Sequence, residues 1–186
     1  MADQLRAVLR KIGFYPDETI LHIHNHNLGK NVSLPGAVIR LAEDGYGLLL
    51  QPHDFPEDFR PDNYRRLISA IVPEAPLDLP AVLYPQSANI HYAVLNRRDR
   101  AILQRSGVHR SHLHLLPNPV AEIGSLPPQS ESRAKLRERF AVPLDHRFVL
   151  YPVRGIRRKN LGEALLWSAL ADDKTTFGFT LPPLNP

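Results

Sequence analysis

Residues 19–54, TILHIHNHNLGKNVSLPGAVIRLAEDGYGLLLQPHD, decide the predicted fold. Residues 19–23 and 46–50 are short apolar runs rich in β-forming side chains, which is typical of strands. Between them apolar residues recur at helical spacing. A helix is predicted from Ser33, a capping residue type, to Gly45, a frequent helix stop. A strand, a helix and a strand in this order predict two parallel strands joined by a crossover helix.

The same alternation continues along the chain and predicts an open α/β fold, a Rossmann-like parallel sheet with flanking helices. Further strands are predicted at residues 81–84, 89–94, 113–116, 148–153 and 177–181. The run at 148–153 has the composition of a buried strand. Further helices are predicted at residues 3–12, 62–72, 96–105, 131–140 and from 161 onward.

A change of composition divides the chain. Residues 122–132 are rich in proline and serine and show little periodicity, which is typical of a linker. We therefore predict a partial α/β domain at residues 1–121 and the start of a second α/β domain at residues 133–186. About 55 residues are few for an independent core, so the second domain is expected to be only begun.

Composition and charge limit the classes of protein to which the chain can belong. With 43% hydrophobic and 23% charged residues among 186, the chain can bury a core. Cysteine is absent, which excludes disulfides and thiol chemistry. No apolar run reaches the length of a membrane span and no signal-peptide pattern begins the chain, so a cytoplasmic location is expected. The formal charge of +4 favours an anionic partner.

Common sequence motifs are missing as well. The chain has no P-loop, no G-x-G-x-x-G and no G-x-S-x-G, which removes the commonest dinucleotide and serine-nucleophile sites. No ladder of aromatic and basic residues is present, so no nucleic-acid partner is expected.

Histidines mark the ends of two predicted strands. His22, His24 and His26 alternate, and on a strand they would share one face, as metal ligands do. A metal-dependent hydrolase is therefore one alternative, and polar histidines that bind backbone or ligand are the other. His53 follows the second strand, where it can bind a substrate hydroxyl, and the adjacent Asp54 could orient it.

A basic loop follows the strand at 148–153. Residues 154–159 read RGIRRK, with four cations among six residues. Asn160 and Glu163 have the spacing of a capping box at the start of the next helix. A helix N-terminus preceded by guanidinium and ammonium groups suits a diphosphate. The alternatives are a solvated basic turn and a non-catalytic module that binds anions.

All the polar clusters follow predicted strands. They are HNHN at 24–27, PHD at 52–54, PNP at 117–119 and RGIRRKN at 154–160. Since ligands collect at the carboxyl ends of parallel strands, we expect these clusters to gather at one edge of the sheet.

Several segments together resemble the retaining GT-B glycosyltransferases of family four. ILHIHNHNLGKN resembles a strand of the acceptor half whose end faces the cleft, and LLLQPHDF resembles the strand that carries the family's acceptor-side histidine. HLHLLPNPV resembles the segment that leaves the N-terminal domain. VLYPVRGIRRKNLGEALLWSAL resembles the first strand, loop and helix of the donor half.

The resemblance implies transfer of a sugar, with retention, from a nucleotide-sugar donor to an acceptor hydroxyl. It implies Arg154 and Lys159 at the donor diphosphate, His53 as the catalytic residue, and cleft contacts from His26, Asn27, Asp54 and Asn118. It implies no cofactor and no obligatory metal. The acceptor is an unidentified carbohydrate or lipid-linked molecule, and peripheral membrane contact is left open.

The chain departs from this family at three points. Asn160 stands where the family usually has a glycine, no glycine-rich loop follows the first strand, and no E-x7-E pair follows Lys159. The resemblance therefore implies a glycosyltransferase truncated at both ends, a fragment whose activity alone is in doubt.

Overall fold

The computed structural model describes residues 1–58, 60–71, 79–156 and 159–180. The chain forms two compact units, Met1–Val120 (unit 1) and Ala121–Pro186 (unit 2). The predicted helix end at residue 72, the cations Arg157 and Arg158, and the predicted strand end at residue 181 lie outside the described residues.

Unit 1 has the predicted α/β architecture with a parallel sheet. Its elements are α1 (Ala2–Lys11), β1 (Ile20–His24), α2 (Leu34–Glu43), β2 (Gly47–Gln51), α3 (Pro61–Ile71), α4 (Leu79–Leu83), β3 (Ile90–Val94), α5 (Arg97–Arg105) and β4 (Leu113–Leu115). The four strands are parallel and lie in the order β1-β2-β3-β4. The sequence therefore predicts the fold class correctly, and Asn96 caps α5 as expected, accepting a bond of 2.9 Å from the backbone N–H of Asp99.

One face of this sheet carries the core of unit 1. Leu48 and Leu50 of β2, Tyr92 of β3 and Leu113 of β4 pack with Leu103 of α5 in one buried cluster. Because right-handed crossovers between strands in sequential order place their helices on the same side, this face receives the helices. The side chains of alternate residues point to the opposite face.

The opposite face of the sheet carries histidines. His22 and His24 of β1 and His114 of β4 are exposed, and His91 of β3 is half-buried. Parallel sheets are usually covered on both faces by apolar packing. Polar side chains tolerate contact with solvent, so histidines suit a sheet face that no helix covers.

The strand predicted at residues 81–84 is wrong. Residues 81–83 belong to α4, in which Leu83 is buried against Leu67 and Ile71 of α3, and Tyr84 follows the helix. A short apolar run is compatible with either element, and periodicity alone does not distinguish them. Packing of Leu79 and Leu83, one helical turn apart, decides in favour of the helix.

Unit 2 consists of α6 (Gln129–Phe140), β5 (Arg147–Tyr151), α7 (Leu161–Leu170) and β6 (Thr175–Phe179). β5 and β6 form a two-stranded parallel sheet of their own, separate from the sheet of unit 1. The order of strand, helix and strand agrees with the sequence pattern.

Two expectations about unit 2 are wrong. The strand at 148–153 is not buried, since Val149 is 41% and Leu150 is 53% exposed. Two strands and two helices offer too little surface to cover both faces of a sheet. Asn160 stands at the N-cap position of α7, but its backbone is left-handed at φ 51° and its side chain makes no capping bond, so no capping box forms.

Among the described residues, no helix is both long and apolar enough to cross a membrane.

Candidate functional site

The carboxyl ends of β1 and β2 bring two polar clusters together in unit 1. Their register pairs His24 with Gln51, so the residues that follow each strand are neighbours. Asn25 is left-handed, with φ 54°, and its side-chain oxygen accepts hydrogen bonds from the backbone N–H groups of His53 and Asp54, at 2.8 and 3.3 Å. The turn at Asn25, after β1, therefore holds the backbone of His53 and Asp54, after β2.

His53 is half-buried at this edge, with a partner that the sequence pattern does not indicate. Its Nε2 lies 2.7 Å from Nδ1 of His24, and one of these nitrogens donates a hydrogen bond to the other. The carboxylate of Asp54 binds Arg60 instead, at 2.6 Å. The expected orientation of His53 by Asp54 is therefore wrong, and His24 occupies that place.

The end of β4 belongs to the same edge. The side-chain amide of Gln51 donates to the carbonyl of Leu116 at 3.2 Å, which links the ends of β2 and β4. Asn118, two residues further on, is exposed. The basic loop follows β5 in the separate sheet of unit 2, so the expectation that all four polar clusters share one sheet edge is wrong for that loop.

His26 and Asn27 lie elsewhere than the sequence pattern suggests. Both are buried, at 1% and 0% exposure, rather than facing the solvent at the sheet edge. Nε2 of His26 donates to the carbonyl of Leu83 at 2.9 Å, while its Nδ1 and the side-chain oxygen of Asn27 have no hydrogen-bond partner among the described residues. The left-handed turn at Asn25 ends the strand alternation and directs His26 inward.

This burial also overturns the metal alternative. His22 and His24 lie on the open face of the sheet, whereas His26 lies in the interior of unit 1. Within the described ranges, no group of three or more His, Cys, Asp or Glu is arranged to hold a metal ion. The structure thus gives no support to a metal-dependent hydrolase built on these three histidines.

A hydrogen-bond network beneath the edge runs from the buried Asn27 to the exposed Glu57. The amide of Asn27 donates to the hydroxyl of Tyr84 at 3.2 Å, and that hydroxyl donates to the carboxylate of Glu57 at 2.9 Å. Burial, followed by the nearby charge of Glu57, raises the pKa of Tyr84, so its hydroxyl stays protonated as a donor. The network anchors the loop after β1 to the segment between α4 and β3.

The buried His26 makes stability depend on pH. Burial lowers its pKa from the ordinary 6.5 to about 4, against the smaller raising effect of its bond to Leu83. Between these values the unfolded chain binds more protons than the folded one, so stability is present above pH 6.5 and is lost as pH falls toward 4. From pH 7.5 to pH 5 we expect His26 alone to account for a loss of about 2 kcal/mol.

The measurement is urea denaturation across this pH range for the wild type and His26→Gln. Glutamine can still donate to the Leu83 carbonyl but does not titrate, so the variant should lose less stability on acidification. The lowered pKa values of His24 and His91 act in the same direction in both proteins and cancel in the comparison. Parallel pH curves for the two proteins would contradict the assignment.

In unit 2, Arg154 and Lys159 lie on the loop between β5 and α7. Arg154 is exposed and Lys159 is half-buried. The loop is closed by backbone bonds from Ile156 N–H to the Arg154 carbonyl and from Lys159 N–H to the Ile156 carbonyl, at 2.8 and 2.9 Å. Tyr151 of β5 donates its hydroxyl to the Lys159 carbonyl at 2.6 Å.

Arg154 and Lys159 have no ion-pair partner in the described part of unit 2. Neither residue has a described carboxylate within 4 Å, whereas Arg147 at the start of β5 binds Asp172. The loop leads directly into the first turn of α7 at Leu161. Two cations ahead of a helix N-terminus can together hold an anion.

Sequence patterns did not identify three residues of the unit 1 edge. They are Asn25, Gln51 and His24, the last as the partner of His53. Their contacts depend on the register of β1 and β2. The H-x-H alternation of His22 and His24 indicates that both lie on one face of a strand, but it does not show which residue of the neighbouring segment His24 contacts.

The chain is similar to a mannosylglucosyl-3-phosphoglycerate synthase. That relative, from Petrotoga mobilis, is 30% identical over 187 residues, and the match covers 95% of this chain and 35% of the relative. This chain thus spans about a third of the length of the curated relative it matches. No protein-family model and no solved structure matches the chain.

Proposed function

We propose that the chain is part of a retaining GT-B glycosyltransferase of family four that transfers a hexosyl group from a nucleotide sugar to an acceptor hydroxyl. The observation that carries the proposal is the loop of Arg154 and Lys159, two cations without a described carboxylate partner that lead into the N-terminus of α7. The similarity to a mannosylglucosyl-3-phosphoglycerate synthase supports the reaction class.

On the donor side, Arg154 and Lys159 bind the diphosphate of the nucleotide sugar. An arginine offers two parallel donors to a phosphate, and a lysine offers a compact positive charge. When the bond from sugar to diphosphate breaks, negative charge grows on the leaving group. Cations already in position stabilise that charge without reorganisation, and the chemistry then needs no obligatory metal.

On the acceptor side, His53 binds the hydroxyl that receives the sugar. It is half-buried beside Asp54 at the carboxyl edge of the sheet, where open α/β sheets collect their ligands. Asn118, exposed after β4, is a further contact, and His26 and Asn27 act from beneath as support for the loop.

The acceptor is anionic. The related synthase is named for a mannosylglucosyl-3-phosphoglycerate, a product with a phosphate and a carboxylate. We extend this character to the acceptor of the present chain, whose formal net charge is +4. A positive protein attracts such a substrate and raises its rate of encounter.

The test of the donor site is the double variant Arg154→Ala plus Lys159→Ala. Calorimetric titration with a panel of nucleoside-diphosphate sugars, in a polypeptide that carries the complete donor-side domain, should show binding to the wild type. Affinity in the variant should fall by at least about 100-fold, since each of the two lost hydrogen bonds to a charged group contributes about 1.5–3 kcal/mol.

The matched control is Arg137→Ala plus Lys174→Ala, which removes the same two charges from exposed positions of unit 2. It should retain the wild-type affinity. Equal affinities in all three proteins would refute the donor site. Salt-sensitive binding to nucleic acid without any response to nucleotide sugars would favour the non-catalytic anion-binding module instead.

A further inference from the structure

The open face of unit 1 carries two hydrogen-bonded side-chain pairs, His22 with Gln51 and His24 with His53, and the second pair reaches the candidate acceptor site. Nε2 of His22 lies 2.8 Å from the side-chain oxygen of Gln51, and the amide nitrogen of Gln51 donates to the Leu116 carbonyl. The rings of His22 and His24 are in contact, with centroids 4.3 Å apart and planes tilted by 37°. His24 then meets His53 at 2.7 Å.

The hydrogen-bond partners of Gln51 determine which ring nitrogen of His22 carries a proton. A carbonyl only accepts hydrogen bonds, so the NH₂ group of Gln51 faces Leu116 and its oxygen faces His22. That oxygen can only accept, so Nε2 of His22 carries a proton. Burial, followed by the neighbouring rings of His22 and His53, lowers the pKa of His24 and so favours its neutral form, in which one ring nitrogen is free to accept.

We propose that His24 is a positioning residue whose Nδ1 accepts the Nε2 proton of His53. The lone pair of His53 Nδ1 then stays available for the acceptor hydroxyl. The opposite arrangement, a proton on His24 Nδ1, would leave His53 with a proton on Nδ1 and no lone pair for a hydroxyl. His24 thus acts through the tautomer of His53 and does not touch the substrate; this role rests on the acceptor-side function proposed for His53.

The hydrogen bond itself can be observed in the 186-residue chain without any substrate. In ¹⁵N-labelled protein at about pH 8, well above the ordinary pKa of a histidine side chain, the proton should be bonded directly to Nε2 of His53. A scalar coupling across the bond should join that nitrogen to Nδ1 of His24. A proton bonded to His24 Nδ1, or the absence of any coupling between the two rings, would overturn the proposal.

Two substitutions of His24 separate positioning from packing. In His24→Asn the side-chain oxygen replaces Nδ1 as an acceptor, so His53 should keep its Nε2 proton with near-wild-type exchange. In His24→Leu nothing accepts, and that proton should exchange with solvent about five- to tenfold faster, as expected for loss of one hydrogen bond. Equal exchange in both variants would contradict the proposal.

His91 and His114 supply the matched control. Their Nδ1 and Nε2 atoms lie 2.8 Å apart on β3 and β4, so His91→Leu breaks an equivalent pair on the same face. The His53 signals should be unchanged in this variant. The NMR measurement needs no ligand, so it is independent of the test of nucleotide-sugar binding. A negative binding result would not contradict the tautomer of His53, and the opposite tautomer would not contradict the donor site.

Discussion

Tyr92→Ala is expected to destabilise unit 1 by about 3–5 kcal/mol, the range for removing a large aromatic side chain from a core. Tyr92 is fully buried at 0% exposure in the central strand β3, within the cluster that includes Leu50, Val94 and Leu103. Its hydroxyl donates to the Pro85 carbonyl at 2.7 Å. Alanine leaves a cavity between strands and helices and removes this donor. Urea denaturation followed by circular dichroism measures the change.

Two controls divide this effect into its causes. Tyr92→Phe keeps the ring and removes only the hydroxyl, and we expect a loss of about 1 kcal/mol from the unpaired Pro85 carbonyl. Tyr15→Ala removes the same atoms from a side chain that is 54% exposed, and its effect should stay within about 0.5 kcal/mol. Similar losses for Tyr92→Ala and Tyr15→Ala would show that the core is not where the structure puts it.

Gly29→Ala is expected to cost about 2–5 kcal/mol, the sum of left-handed backbone strain and overpacking. Gly29 has φ +71° in the loop after β1, and an added Cβ would lie 2.8 Å from the Asn63 carbonyl oxygen and 3.0 Å from Cγ of Leu67. The loop cannot withdraw easily, because the Asn63 side chain donates to the Leu28 carbonyl at 2.6 Å. Thermal unfolding measures the loss.

Gly13→Ala is the matched control for the steric contribution. Gly13 has φ +85° but no atom within 4 Å of an added Cβ, so its substitution should cost only the backbone strain of about 1–2 kcal/mol. Gly29→Ala should also shift the backbone amide signal of His53, because the same loop carries the side-chain oxygen of Asn25 that binds this amide. Equal losses at Gly13 and Gly29 would contradict the close packing of loop and α3.

Local sequence periodicity predicts most of the helices and strands, but it does not show which distant residues they pack against. The helix capped by Asn96 was predicted because its cap and its apolar spacing lie within one stretch of sequence. For residues 81–84 the pattern predicts a strand wrongly, since four apolar residues fit a strand or a helix equally well. Only the contact of Leu83 with Leu67 distinguishes the two.

The candidate site was predicted in part, for the same reason. That His53 follows a strand is a property of the sequence, but its contact with His24, 29 residues away, is a property of strand register. His26 belongs to the same H-x-H-x-H alternation as its neighbours and yet is buried. The left-handed turn at Asn25 breaks the alternation one residue earlier.

By itself, the sequence determined the alternation of strands and helices and the polar residues at strand ends. Both follow from local periodicity and chain direction, which need no knowledge of distant residues. Only the tertiary structure decided that His24 rather than Asp54 meets His53, that His26 is interior and that the basic loop follows a strand of a separate sheet. These outcomes depend on register and on packing between segments far apart in the chain, where many side chains compete for the same space.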